Sequence, residues 1–136
     1  MVNQSRSVIV LILLAFMLLP ARAGGVQAAS AGSRASDVQK YAYELAVIQT
    51  GYVSKSDPLV GRFARPLASL AWKCYKNKVS NIADYTVTSH NILAQHGLRE
   101  SYLSVLSHVN SAVPAHQQLP KCAEVFALYV SLRIGH

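Results

Sequence analysis

Residues 8–19 (VIVLILLAFMLL) form an unbroken apolar run of 12 residues. A helix needs about 20 apolar residues to span a bilayer, so this run is too short to be a membrane span. Its flanks are those of an export signal. Arg6 supplies a positive charge before it, Pro20 breaks it, and Ala21-Arg22-Ala23 offers a small-x-small cleavage pattern. The expectation is a cleaved signal peptide over residues 1–23. Cleavage after Ala28, reading Val26-Gln27-Ala28, is the rival position, and an uncleaved N-terminal anchor is the plainer alternative. No second apolar run reaches spanning length, so the mature chain is expected to work in the periplasm or outside the cell.

An oxidising destination gives meaning to the cysteine count. Cys74 and Cys122 are the only two, and a lone pair in an exported chain most simply forms one disulfide. The bridge closes a loop of about 49 residues, which the chain-entropy model values at roughly 4 kcal/mol. No C-x-x-C redox motif is present. Free thiols with a redox role are the competing reading.

The precursor carries a net charge of +7. Without Arg6 and Arg22 the mature chain keeps 11 basic and 6 acidic residues, a net charge of +5. This balance favours anionic partners or surfaces. Export makes intracellular nucleic acid an unsuitable target. Apolar residues make up 51% of the chain, enough for a packed core in one small domain.

Residues 24–36 (GGVQAASAGSRAS) read as a flexible Gly/Ala/Ser leader. From Ser36, a candidate N-cap, apolar positions recur at helical spacing to the end of the chain. Val38, Tyr41, Leu45, Ile48 and Tyr52 predict a helix over residues 37–51. Asp57-Pro58 is a helix start, and Leu59, Phe63, Leu67, Leu70 and Cys74 form one stripe over residues 58–77. Pro66 within that stripe is expected to bend the helix near Arg65. Ser80 is the expected cap of a third helix that ends at Gly97 and carries Ile82, Tyr85, Ser89, Ile92, Leu93 and His96. Tyr85-Thr86-Val87-Thr88 has strand propensity but no partner strand. Leu98, Tyr102, Val105, Leu106, Val109 and Val113 mark a fourth helix. Pro120 opens a fifth, with Cys122, Val125, Phe126, Tyr129 and Leu132 inward. The architecture expected for residues 37–136 is therefore a small all-α bundle of about five helices with one disulfide.

The clearest surface feature lies on the second helix. At 100° per residue, Arg62, Arg65, Lys73 and Lys76 fall within about 80° of one another, opposite the apolar stripe. Trp72 borders them, and Tyr75 lies off the core face. These six residues form the candidate contact surface for an acidic protein partner or a cell-envelope component. The plainer reading is a solvated helix face. A bend at Pro66 would swing Arg62 and Arg65 away from Lys73 and Lys76.

Other chemistry is weakly supported. None of His90, His96, His108, His116 and His136 forms an i, i+4 pair, so no metal or other cofactor is expected; a pH-sensing role is the milder histidine reading. The six carboxylates of the mature chain (Asp37, Glu44, Asp57, Asp84, Glu100 and Glu124) are scattered one by one. No G-x-S-x-G, H-E-x-x-H or phosphate-cradling loop occurs. A non-enzymatic binding or accessory protein is the leading expectation. An exported stress chaperone, or an inhibitor or immunity-type protein, is the alternative, and a small enzyme comes behind both. The cysteine pair yields a direct test. Reducing the chain should lower its melting temperature by several degrees, and an unchanged curve after verified reduction would remove the structural role assigned to Cys74 and Cys122.

Overall fold

The computed structural model describes residues 25–135, with side chains described from residue 31 onward. The expected signal peptide over residues 1–23 lies outside the described residues. Five helices follow one another: α1 (Gly25–Thr50), α2 (Pro58–Lys73), α3 (Val79–Gln95), α4 (Tyr102–Ala112) and α5 (Ala123–Ile134). The chain is all-α over the described residues and carries the Cys74–Cys122 disulfide, with Cα atoms 5.5 Å apart. No described helix is long and apolar enough to cross a membrane.

Each boundary has a local cause. α1 begins at Gly25, well before the expected start at residue 37, so the leader is helical where flexibility was expected. Ala28, Ala29, Ala31 and Ala35 are strong helix formers, and no proline intervenes. Residues 31–37 are all exposed, so this part of the extension adds helix without adding core. α1 stops where Gly51 takes a positive φ of 85° and donates its N–H to the Val47 carbonyl. α2 starts as the sequence indicates, with Asp57 Oδ1 accepting from the Leu59 N–H at 2.8 Å and Pro58 in the first turn.

α2 runs unbroken through Pro66 but ends at Lys73, short of the expected residue 77. The reason is a competing strand-like pairing. The Leu119 N–H donates to the Lys73 carbonyl at 2.6 Å, and the Tyr75 N–H donates to the Leu119 carbonyl at 3.2 Å. The same pairing keeps Pro120 outside α5, which begins only at Ala123. Cys122 caps that helix, and its N–H is taken by Asn77 Oδ1 at 2.8 Å.

α3 begins at Val79, and its cap is Lys78 in place of the expected Ser80; the Lys78 N–H donates to Asn81 Oδ1 at 3.0 Å. Its far end is a two-bond glycine stop. Gly97, at φ 77°, donates to the Ala94 carbonyl at 3.0 Å, and Leu98 donates to the Leu93 carbonyl at 2.9 Å. Leu98 is thereby held outside α4, which starts at Tyr102 behind an N-cap at Ser101. The strand-prone residues Tyr85 to Thr88 are helical, and the buried Thr86 hydroxyl donates to the Ile82 carbonyl at 2.8 Å.

Residues Gly32–His136 form one packing unit. α3 and α4 are its centre: each packs against α2 and α5 and against the other. Phe63, Leu67 and Leu70 from α2 meet Ile82 and Leu93 from α3 and Val105, Leu106 and Val109 from α4 in a core with no solvent exposure. α1 adds Val38, Ala42, Leu45 and Ala46. Several residues expected inward lie on the surface instead. Ile48, Tyr52 and Leu132 are exposed at 51%, 83% and 56%. Ile48 and Tyr52 fall at the end of α1, where no other described helix covers them. Leu132 sits on α5, where the polar residues Glu124 and Ser131 lie on one side and Arg133 nearly opposite, so the apolar spacing marks no single inner face.

Candidate functional site

The six residues of the candidate surface divide three ways. Arg62 and Arg65 are exposed and line a cleft of about 660 Å³ between α2 and α4. Trp72 and Tyr75 are half-exposed and Lys76 is exposed, but none of the three lines that cleft. Trp72 lies seven residues beyond Arg65, two helical turns along nearly the same line. Tyr75 and Lys76 occupy the turn after α2.

Lys73 departs from the expectation. It is only 5% exposed, and its Nζ donates to the Asn110 carbonyl at 2.7 Å and to Asn110 Oδ1 at 3.0 Å. Burial pulls its pKa below the usual lysine value. Lys73 is therefore a strut between α2 and α4 and no part of an exposed cationic stripe. Its place on the helix explains this, since it lies three turns beyond Arg62 on the same line, where α4 closes over α2.

The cleft has a cationic wall and a polar wall. Arg62, Arg65 and Ser69 come from α2; Ser104, Ser107, Asn110 and Ser111 come from α4. The serines recur every three or four residues, so they share one face of α4. The entry to α4 is fixed by two caps: Ser101 Oγ accepts from the Ser104 N–H at 3.1 Å, and Gln49 Oε1 of α1 accepts from the Leu103 N–H at 3.1 Å. Neither Arg62 nor Arg65 pairs with a carboxylate among the described residues.

A second polar cluster gathers residues that sequence spacing left scattered. The Glu100 carboxylate, 8% exposed as a side chain, accepts from Arg133 Nε at 2.6 Å and from the Tyr129 hydroxyl. His108 Nδ1 lies 3.0 Å from the Tyr129 hydroxyl and 3.6 Å from Glu100 Oε2. His90 Nδ1 donates to the Glu100 carbonyl at 2.7 Å, and its ring stacks on Tyr102. Burial raises the Glu100 pKa, but the hydrogen bonds from Tyr129 and Arg133, with the charges of Arg133 and His108, outweigh it and leave the group below the ordinary value. Burial, then the bond to Glu100, pushes Tyr129 upward.

Ser104, His108 and Glu100 are the residue types of a nucleophile, base and acid, but their geometry differs from a triad. A triad base uses one nitrogen for the nucleophile and the other for the carboxylate. Here Ser104 Oγ, at 3.4 Å, and Glu100 both meet Nδ1. The cluster is a pin between the loop before α4 and α5. Sequence reading missed it because Glu100 and Arg133 lie 33 positions apart. Among the described residues, no three His, Cys, Asp or Glu side chains converge as metal ligands.

Comparison with protein-family models, with curated proteins and with solved structures gives no match.

The Glu100 pin makes a pH-dependent prediction. A carboxyl whose folded pKa lies below its unfolded one stabilises the fold above the unfolded value, about 4.3, and loses that contribution as pH falls through the folded one. Glu100→Gln should therefore cost about 1–3 kcal/mol at pH 7. Its stability curve and that of the wild type should draw together as the pH falls below about 4.3. Melting temperatures from pH 2 to 8 check this, and a constant offset across the range would contradict it.

Proposed function

We propose that this is an exported, non-enzymatic binding protein that engages an anionic partner, an acidic protein or a cell-envelope component, through Arg62 and Arg65 at the α2–α4 cleft. The observation that carries the reading is the pair of arginines on the wall of an open cleft, with no carboxylate paired to either one among the described residues. An unpaired guanidinium keeps its full set of donors for a ligand. The positive balance of the chain acts in the same direction, drawing anions to the surface. Export rests on the apolar run and cleavage pattern of residues 1–23, and the Cys74–Cys122 bridge fits an oxidising compartment.

A second reading, an exported chaperone, draws on a different observation. Leu128 and Leu132 on α5 are exposed at 59% and 56%, and a largely apolar hollow of about 310 Å³ lies between α3 and α5. Scattered exposed leucines are common on soluble proteins, however, and the hollow is small for a client chain. Binding of an apolar-surface dye that rises on acidification would favour this reading over the first.

Cross-linking in intact cells, followed by mass spectrometry, tests the leading proposal. The wild-type chain should capture a recurrent partner, and the double substitution Arg62→Glu with Arg65→Glu should abolish the capture. Lys76→Glu, outside the cleft, should retain it. Undiminished capture by the double variant would overturn the proposal.

A further inference from the structure

The chemistry of the cleft narrows the class of anion. Lys73 is the starting point. An ammonium is a donor only, so the side-chain atom of Asn110 that meets it must be the carbonyl oxygen. The amide NH₂ of Asn110 is then turned away from Lys73, on a residue that lines the cleft. The guanidinium groups of Arg62 and Arg65 give the cleft its charged donors, and the Asn110 NH₂ is left without a partner among the described side chains. The hydroxyls of Ser69, Ser107 and Ser111 make no hydrogen bond to another side chain among the described residues, and each can donate and accept.

We propose that the α2–α4 cleft binds an acidic glycan: a sugar chain whose carboxylate groups pair with Arg62 and Arg65 and whose hydroxyls bond to Ser107, Ser111 and the Asn110 amide. The proposal rests on the anionic-partner reading above and deepens it. Guanidinium forks match planar carboxylates two bonds at a time. Serine hydroxyls match sugar hydroxyls because both partners donate and accept. Trp72, 48% exposed and roughly 10 Å along α2 from Arg65, offers an aromatic face beyond the cleft for a further sugar ring.

The alternatives fit the walls less well. A docked peptide helix needs a groove that takes apolar side chains at i, i+3, i+4 and i+7. Here the two apolar lining residues, Pro66 and Leu103, are themselves buried, and the remaining lining side chains, arginine, serine and asparagine, all end in polar groups. An acidic peptide would also find the arginines, but it offers the serines one backbone N–H and one carbonyl per residue and not the several hydroxyls, each donor and acceptor, of a sugar ring. A lipid surface needs an exposed apolar band beside the cations, and Trp72 is the one large exposed apolar side chain on α2.

The test uses the mature chain with its disulfide intact and three probes at one salt concentration: polygalacturonate, poly-L-glutamate of matched charge, and neutral dextran. Polygalacturonate should bind at least tenfold more tightly than poly-L-glutamate, with no binding to dextran. The double variant Ser107→Ala with Ser111→Ala keeps charge and does not weaken the helix, since alanine is the better helix former. It should weaken polygalacturonate about tenfold, as expected for two lost hydrogen bonds, and leave poly-L-glutamate unchanged. Equal binding of the two polyanions with a silent serine variant would overturn the glycan assignment while leaving the anionic cleft standing. Polyanion binding that survives Arg62→Glu with Arg65→Glu, or equal binding of dextran, would overturn both.

Discussion

Three connections leave the chain at two adjacent residues, and the rest of the unit is arranged around them. The Lys73 ammonium reaches the carbonyl and side chain of Asn110 on α4. The Lys73 carbonyl accepts from Leu119 in the last loop. Cys74, next along, is bridged to Cys122 at the start of α5. One turn of chain thus fixes the end of α2 to α4, to the loop before α5, and to α5 itself. The strut to α4 carries the largest consequence, because it sets how the two walls of the cleft face each other. Burying a lysine is unfavourable unless its donors are satisfied, and here two oxygens of one residue receive them.

This node separates the cations of α2 into different kinds. Arg62 and Arg65 stay in solvent beside α4, with their guanidinium groups available. Lys73, on the same line of the helix, is drawn under α4, and Lys76 lies past the helix end. A diffuse basic stripe becomes two arginines on the wall of a cleft with defined polar partners opposite. At the far side of α4, the Glu100 pin ties its entry to α5. α4 is held from both sides: by Lys73 near its C-terminal end and by Glu100, Gln49 and Ser101 at its start.

The helical stripes were legible because their periodicity is a local property. Phe63, Leu67 and Leu70, or Val105, Leu106 and Val109, mark the inner faces without knowledge of the partners. The cysteine pair was legible because two cysteines leave one pairing. What could not be read depends on contacts distant in sequence. A helical wheel places Lys73 beside Arg62 but does not know where α4 lies. It also treats lysine as a surface residue, although a long aliphatic stem lets the ammonium reach a backbone oxygen from a buried position. Glu100 looked isolated because Tyr129 and Arg133 are a helix and a loop away. The early start of α1 was missed for a different reason: Gly and Ser in residues 24–36 suggested a linker, while the alanines among them favour helix without needing a core.

The claim that most of this depends on is that Lys73 is an internal strut and no surface contact. Thermal unfolding of Lys73→Met tests it most directly, because methionine keeps an unbranched stem of similar length and removes the donor. The account predicts a loss of about 1–3 kcal/mol, since the Asn110 oxygens lose their partner inside the fold. A melting curve identical to that of the wild type would return Lys73 to the exposed basic face and contradict the account.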